Sequence, residues 1–113
     1  IPYAATWSVA HPEDFARKMS TALSIKGMRF LLLHSPCPTG WKSEPEDSVK
    51  LVRLAVASGL FPLYEVFDGF SYQINVEPDE TDPAEYFHLQ RRIADEEIDL
   101  DGIRRYCSNR MQR

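Results

Sequence analysis

Cys37 stands between two prolines in the run His34-Ser35-Pro36-Cys37-Pro38-Thr39-Gly40-Trp41, directly after the apolar stretch Phe30-Leu31-Leu32-Leu33. Pro36 and Pro38 fix φ at two positions and remove two backbone donors. The thiol is therefore carried on a stiff turn at the end of an expected strand. In open α/β sheets the carboxyl ends of strands are where cofactors bind. Two readings fit this turn: a metal-ligating thiolate, or a small buried side chain filling a tight corner.

The other chemistry-bearing residues are sparser. His34 lies close to Cys37, and a His–Cys metal or nucleophile pair is one reading; a simple strand-end residue is the other. His11 and His88 do not share the i, i+4 spacing of a helical metal pair with any other histidine. Trp41 reads either as a roof over the thiol or as a core aromatic that anchors the loop. Thr39 is read as a hydrogen-bond donor to the site or as a turn residue that satisfies its own backbone. Glu44, Glu46 and Asp47 cluster where helix capping and the helix dipole account for them. Cys107 reads as an ordinary half-buried helix residue. There is no Gly-rich phosphate cradle.

The elements that must position the turn follow from the pattern. Ile1 to Thr6 reads as a strand ending near Trp7. His11 precedes Pro12, which is favoured at the first helical position, and Glu13 and Asp14 suit the first turn. Phe15, Met19, Ala22 and Leu23 share a face, and Gly27 suits the C′ position. Met28 to Leu33 is a short run, apolar but for Arg29, read as a strand covered on both faces. Ser43 and Glu46 have capping-box spacing and predict a helix to about Ser58. Val49, Val52 and Val56 share its buried face, widened by Leu51 and Ala55, and Gly59 closes it. This alternation is βαβ grammar and implies a parallel sheet.

Leu63–Phe67 reads as a further strand. Asp68-Gly69 predicts a hairpin turn into Phe70, Tyr72, Ile74 and Val76, which alternate with polar residues. This hairpin belongs at the sheet edge or outside the sheet. Glu77 to Asp82 is an acidic, solvated loop. Asp82 and Pro83 restart a helix along which Tyr86, Leu89, Gln90 and Ile93 lie. A last helix is expected from about Glu96 to Met111, weakened by Gly102.

The length of 113 residues and a hydrophobic content of 43% suit one ordinary domain with a core. Residues 1–113 read as a single segment, with an α/β core over about 1–76 and an acidic loop with C-terminal helices over 77–113. The net charge of −4 and the interleaving of Arg91, Arg92, Arg104 and Arg105 with acids give no nucleic-acid groove. No apolar run has the length of a membrane span, and no signal-peptide pattern is present. With two cysteines the chain is not a disulfide scaffold, so a reduced, cytoplasmic setting is expected. The abrupt opening on Ile1 leads to the expectation of a piece of a larger chain.

The run Ser35-Pro36-Cys37-Pro38-Thr39-Gly40-Trp41 resembles a late turn of the 2-oxoacid:ferredoxin oxidoreductase β subunits. Flanking segments are similar too. They are Ile1-Pro2-Tyr3-Ala4-Ala5-Thr6, Pro12-Glu13-Asp14 with Lys18 and Ala22, and Arg53-Leu54-Ala55-Val56 with Gly59. Pro62-Leu63-Tyr64-Glu65-Val66 and Tyr86-Phe87-His88-Leu89-Gln90-Arg91-Arg92 complete the set. The likeness covers residues 1 to about 98, and its most specific parts are the cysteine turn and Pro-Leu-Tyr-Glu.

The resemblance implies the C-terminal part of a thiamine-diphosphate-binding α/β fold with a mostly parallel sheet. It implies oxidative decarboxylation of pyruvate or a related 2-oxoacid to acyl-CoA, with coenzyme A as acceptor and electrons leaving to ferredoxin. The cofactors implied are thiamine diphosphate, Mg²⁺ and a 4Fe–4S cluster, and Cys37 is implied as one cluster ligand. Such a cluster takes four thiolates. Cys107 does not make up the deficit, and the family's Gly-Asp-Gly motif has no counterpart here. The segment alone is therefore expected to be inactive. Its expected partners are the rest of the β subunit, the α and other subunits, and ferredoxin, with neither nucleic acid nor membrane. No catalytic or thiamine-diphosphate-contacting residue is assigned. Two other readings remain: a non-catalytic interaction module that keeps the fold without its cofactors, and a small redox-active thiol protein.

Overall fold

Tyr3–Ser8 forms β1, which lies inside the sheet and is buried along almost its whole length. The computed structural model describes residues 1–93 and 98–111. Helix α1 (Pro12–Ser24) follows with Pro12 in its first turn, then the strand β2 (Arg29–His34). Cys37 precedes a single helical turn, α2 (Pro38–Trp41). A 3₁₀ turn at Pro45–Asp47 leads into α3 (Ser48–Ser58). The strands β3 (Leu63–Phe67) and β4 (Ser71–Val76) form a hairpin. A short helix α4 (Ala84–His88), a 3₁₀ turn at Arg91–Ile93 and α5 (Leu100–Met111) complete the described chain.

The strand order is β2-β1-β3-β4. Only β1 and β2 pair in parallel; β3 runs antiparallel to β1, and β4 antiparallel to β3. The expected α/β class holds, but the expected mostly parallel sheet is corrected to a mixed one with more antiparallel pairing. A parallel neighbour needs a crossover that carries the chain back along the sheet. The segment containing α3 instead leaves and returns at the same end. His34, at the end of β2, stacks on Phe61 with ring centres 4.9 Å apart. Thr6 Oγ1 donates to the Pro62 carbonyl at 2.6 Å and accepts the Tyr64 amide at 3.0 Å. Entering β3 beside the carboxyl end of β1, the chain must run the opposite way.

The same strand order overturns a second expectation. β2 is an edge strand, not one covered on both faces, and Phe30, Leu32 and Leu33 are exposed. The hairpin is placed as expected, with β4 at the other edge. Asp68 and Gly69 take φ of 54° and 81° in the three-residue connection between the paired Phe67 and Ser71, positive values that suit a tight hairpin turn.

On one face of the sheet, Tyr3, Ala5 and Trp7 of β1 meet Ala22, Phe15 and Ile25, with Leu31 and Phe67 alongside. The inward face of α1 differs from the expected apolar stripe. Leu23 is exposed, and Lys18 is fully buried. Lys18 Nζ donates to the Thr6 carbonyl at 2.8 Å and pairs with Asp14 at 2.6 Å, so its charge is met where its stem packs. Glu65, also buried, accepts hydrogen bonds from Tyr3 Oη (2.7 Å), Arg17 (2.9 Å) and Asn75 Nδ2 (2.7 Å). This network ties α1, β1, β3 and β4 together.

α3 buries Leu51, Val52, Ala55 and Val56, whereas Val49 is exposed. Each buried valine or leucine contributes about 1.5–3 kcal/mol. Gly59 ends the helix at φ 87° as expected. The expected capping box does not form: Pro45 opens a 3₁₀ turn, Asp47 precedes α3, and the buried Ser43 hydroxyl has no hydrogen-bond partner among the described residues. Gly27 lies beyond the end of α1, in the turn into β2, with a φ of 104° and a Cβ position 3.0 Å from Pro2. Asp82 accepts the Ala84 amide at 3.0 Å, but α4 stops at His88 instead of reaching Ile93. The expected start of the last helix at Glu96 lies outside the described residues. Cys107 is buried, not half-buried. No described helix is long and apolar enough to cross a membrane.

Candidate functional site: the Cys37 turn

The turn begins where β2 ends. Cys37 has an extended backbone (φ −118°, ψ 96°), and its carbonyl accepts the Trp41 amide at 2.8 Å. The Pro38 carbonyl accepts the Ser43 amide at 3.2 Å. Lys42 closes the turn in the left-handed region at φ 54°. That conformation costs about 1–2 kcal/mol in a residue with a Cβ. Arg91 offsets it by donating both its backbone amide (3.3 Å) and Nε (2.9 Å) to the Lys42 carbonyl.

The Cys37 side chain is exposed. A Cβ at Gly40 would stand 3.5 Å from its sulfur, so glycine there keeps one flank of the thiol open. Thr39 is exposed on α2. The thiol is thus neither enclosed by hydrocarbon nor turned inward.

Beneath the turn lies an aromatic base. His34 stacks on Phe61, and its ring centre is 5.8 Å from Trp41 and 6.2 Å from Tyr86. Tyr86 Oη and His34 Nε2 are 3.2 Å apart. Burial lowers the imidazole's pKa and raises the phenol's. With His34 neutral and Tyr86 protonated, one hydrogen is shared between them. Tyr86 also meets Trp41 edge-on at 6.2 Å. The Arg92 guanidinium sits 4.5 Å above the Trp41 ring, a cation–π contact. Buried Gln90 links the parts: its Nε2 donates to the Tyr86 carbonyl (2.9 Å), and its Oε1 accepts from Arg92 Nε (3.0 Å). Arg91 adds an ion pair with Glu44 at 3.1 Å.

Residues 86–92 therefore clamp the turn. Sequence reasoning placed Cys37, His34 and Trp41 together, but not Tyr86, Gln90, Arg91 and Arg92. The only signal was the match of that late segment to the same family as the turn. Trp41 is half-buried between Arg92 and the aromatic base, the position of a loop anchor. His34 is engaged with Tyr86 at the strand end.

Among the described residues, no three His, Cys, Asp or Glu side chains converge in a way that could hold a metal ion. No disulfide joins Cys37 and Cys107. Cys107 lines a separate concavity of about 520 Å³ with Asp82, Arg104 and Ser58. There Arg104 is paired with Asp82 at 3.0 Å. Chemically, the Cys37 turn presents one accessible sulfur on a braced support.

No family model matches the chain. It is similar to the pyruvate synthase subunit PorB of Methanocaldococcus jannaschii, with 41% identity over 114 aligned positions, 97% of this chain and 37% of that subunit. It is similar to the ketoisovalerate oxidoreductase subunit VorB of Pyrococcus horikoshii, with 46% identity over 82% of this chain and 30% of that subunit. The pyruvate synthase subunit PorB of Methanothermobacter marburgensis is 42% identical over 82% of this chain and 32% of its own length. The chain thus spans about a third of these relatives.

Proposed function

Because the chain belongs to the family of the pyruvate synthase and ketoisovalerate oxidoreductase subunits, we propose that it is the part of a 2-oxoacid oxidoreductase that presents one thiolate, Cys37, to an iron–sulfur cluster. The reaction assigned to the whole complex is the oxidative decarboxylation of a 2-oxoacid such as pyruvate, giving acyl-CoA and electrons for ferredoxin. Thiamine diphosphate and Mg²⁺ belong to the rest of the subunit, and no residue of this chain is assigned to either. The setting is cytoplasmic.

The observation that carries this reading is the exposed Cys37 sulfur, held on a braced turn with its flank kept open by Gly40. A 4Fe–4S cluster, when bound, supplies one-electron transfer and requires four thiolates. Cys37 fits one of those positions. The remaining three come from the part of the subunit outside this chain. What this chain contributes is support: Tyr86, Gln90, Arg91 and Arg92 fix the backbone that carries the sulfur, and the prolines keep it from relaxing.

The test is made on the full-length subunit in its complex, with Cys37→Ser. The expected result is loss or alteration of one reduced-cluster signal in electron paramagnetic resonance, with slower electron transfer to ferredoxin. An unchanged signal with normal transfer refutes the ligand role.

A further inference from the structure

Arg92 is exposed, yet it is fixed at two points. Its guanidinium lies 4.5 Å over the Trp41 ring, and its Nε donates to Gln90 Oε1 at 3.0 Å. Gln90 is 1% exposed and is itself tied to the Tyr86 carbonyl at 2.9 Å. A long side chain that would otherwise sample many rotamers is thus held in one place. That place is on the cysteine turn, because the Trp41 amide donates to the Cys37 carbonyl at 2.8 Å. One indole ring separates the guanidinium from the turn that carries the sulfur.

The charge itself is unmatched. Arg17 pairs with Asp14 and Glu65, Lys18 with Asp14, Lys50 with Glu85, Arg91 with Glu44, and Arg104 with Asp82 and Asp101. Among the described residues Arg92 has no carboxylate within ion-pair distance; its partners are a neutral amide and a ring. Bracing Trp41 requires contact, which an uncharged side chain supplies as well. A fixed charge without a counter-ion acts further, on any charge that comes to lie beside the turn.

We infer that Arg92 raises the reduction potential of the iron–sulfur cluster held by Cys37. The inference rests on the ligand reading above. A 4Fe–4S cluster on four thiolates is anionic, and taking up one electron adds one negative charge. The net charge around such a cluster is one of the quantities that set its potential. A cation held beside it favours the reduced form, which eases arrival of the electron from the 2-oxoacid and leaves less driving force for its departure to ferredoxin. Solvent and salt screen an exposed guanidinium, but Trp41 and Gln90 stop it from swinging away. Arg92 touches no reacting atom; it acts through its charge.

The test compares Arg92→Gln with Arg92→Lys in the full-length subunit in its complex. Both shorten the side chain and keep a donor for Gln90 Oε1, and they differ in charge. A redox titration followed by electron paramagnetic resonance is expected to give a more negative midpoint in Arg92→Gln, read as a several-fold smaller reduced fraction of the cluster at a fixed potential. Arg92→Lys is expected to stay close to the unaltered subunit. Hydrogen exchange at the Trp41 and Ser43 amides is expected to be alike in the two variants. An unmoved midpoint in Arg92→Gln overturns the inference, as does an equal shift in both variants. Exchange that quickens in Arg92→Gln alone, or loss of the cluster signal in either variant, assigns Arg92 to holding the turn and overturns it too. Failure of the ligand reading shows separately, as an unaltered signal in Cys37→Ser. A cluster that responds to Cys37→Ser while its potential ignores the charge at position 92 defeats this inference alone.

Discussion

Replacing Tyr86 by Phe removes one oxygen atom from the clamp and nothing else. The ring keeps its edge contact with Trp41 and its approach to His34. What is lost is the 3.2 Å bond to His34 Nε2, which leaves a half-buried ring nitrogen unpaired. An orphaned buried acceptor costs about 1–3 kcal/mol. Water reaches part of this half-buried site, which places the cost near about 1 kcal/mol, a factor of about five in a local opening equilibrium. The amides that report it are those of Trp41, donated to the Cys37 carbonyl, and Ser43, donated to the Pro38 carbonyl. Hydrogen exchange on the full-length Tyr86→Phe subunit should show both opening about fivefold more often. The amides of β1 should exchange as before. Unchanged exchange at residues 41 and 43 would refute the clamp, as would the same acceleration throughout β1, which would mean that the whole fold had loosened.

Two further outcomes follow from the buried polar groups. Glu65→Ala strands the Tyr3 hydroxyl, the Asn75 amide and part of the Arg17 charge. With Arg17 half exposed and still paired with Asp14, the cost comes from the two stranded neutral donors, so the full-length subunit should lose about 2–4 kcal/mol in denaturant titration, and a loss under about 1 kcal/mol would contradict the network's role. Burial pushes the Glu65 carboxyl up, yet hydrogen bonds from Tyr3, Arg17 and Asn75 outweigh it and hold the pKa below its usual value. Its contribution is therefore present above the unfolded carboxylate range and is lost as pH falls through the lower folded value. His34 acts in a separate window. Burial lowers its pKa, so below about pH 6.5 the opened turn takes up the proton first and the closed turn loses stability as pH falls. After correction for intrinsic exchange, the Trp41 and Ser43 amides should open more often at about pH 5.5 than at about pH 7.5; equal opening at both would show that His34 does not titrate against the clamp.

Short-range features were legible because near neighbours in the chain decide them. Pro36, Cys37, Pro38 and Gly40 make the thiol turn wherever the segment sits. Asp68-Gly69 makes its hairpin from its own backbone freedom, and Gly59 ends α3 by taking φ 87°. The β1–α1–β2 unit is set by the punctuation around Pro12 and by the apolar run after Gly27. The kinship with 2-oxoacid oxidoreductase subunits was likewise visible in the turn and in Pro62-Leu63-Tyr64-Glu65.

Tertiary structure alone decided four other things. An apolar run such as Phe30 to Leu33 looks the same in a central strand and at an uncovered edge, since its periodicity carries no record of what lies beside it. Whether β3 runs with β1 or against it depends on which end of the sheet α3 returns to, and contacts such as His34 with Phe61 settle that only on folding. Lys18 is fully buried inside an otherwise ordinary amphipathic helix because the Thr6 carbonyl and Asp14 happen to meet its ammonium there. The brace on the cysteine turn is of the same kind: Tyr86 reaches His34 across 52 residues, and Arg91 reaches Lys42 across 49. Pairings at that separation come from the assembled fold, which brings distant groups within hydrogen-bonding reach that no local spacing foretells.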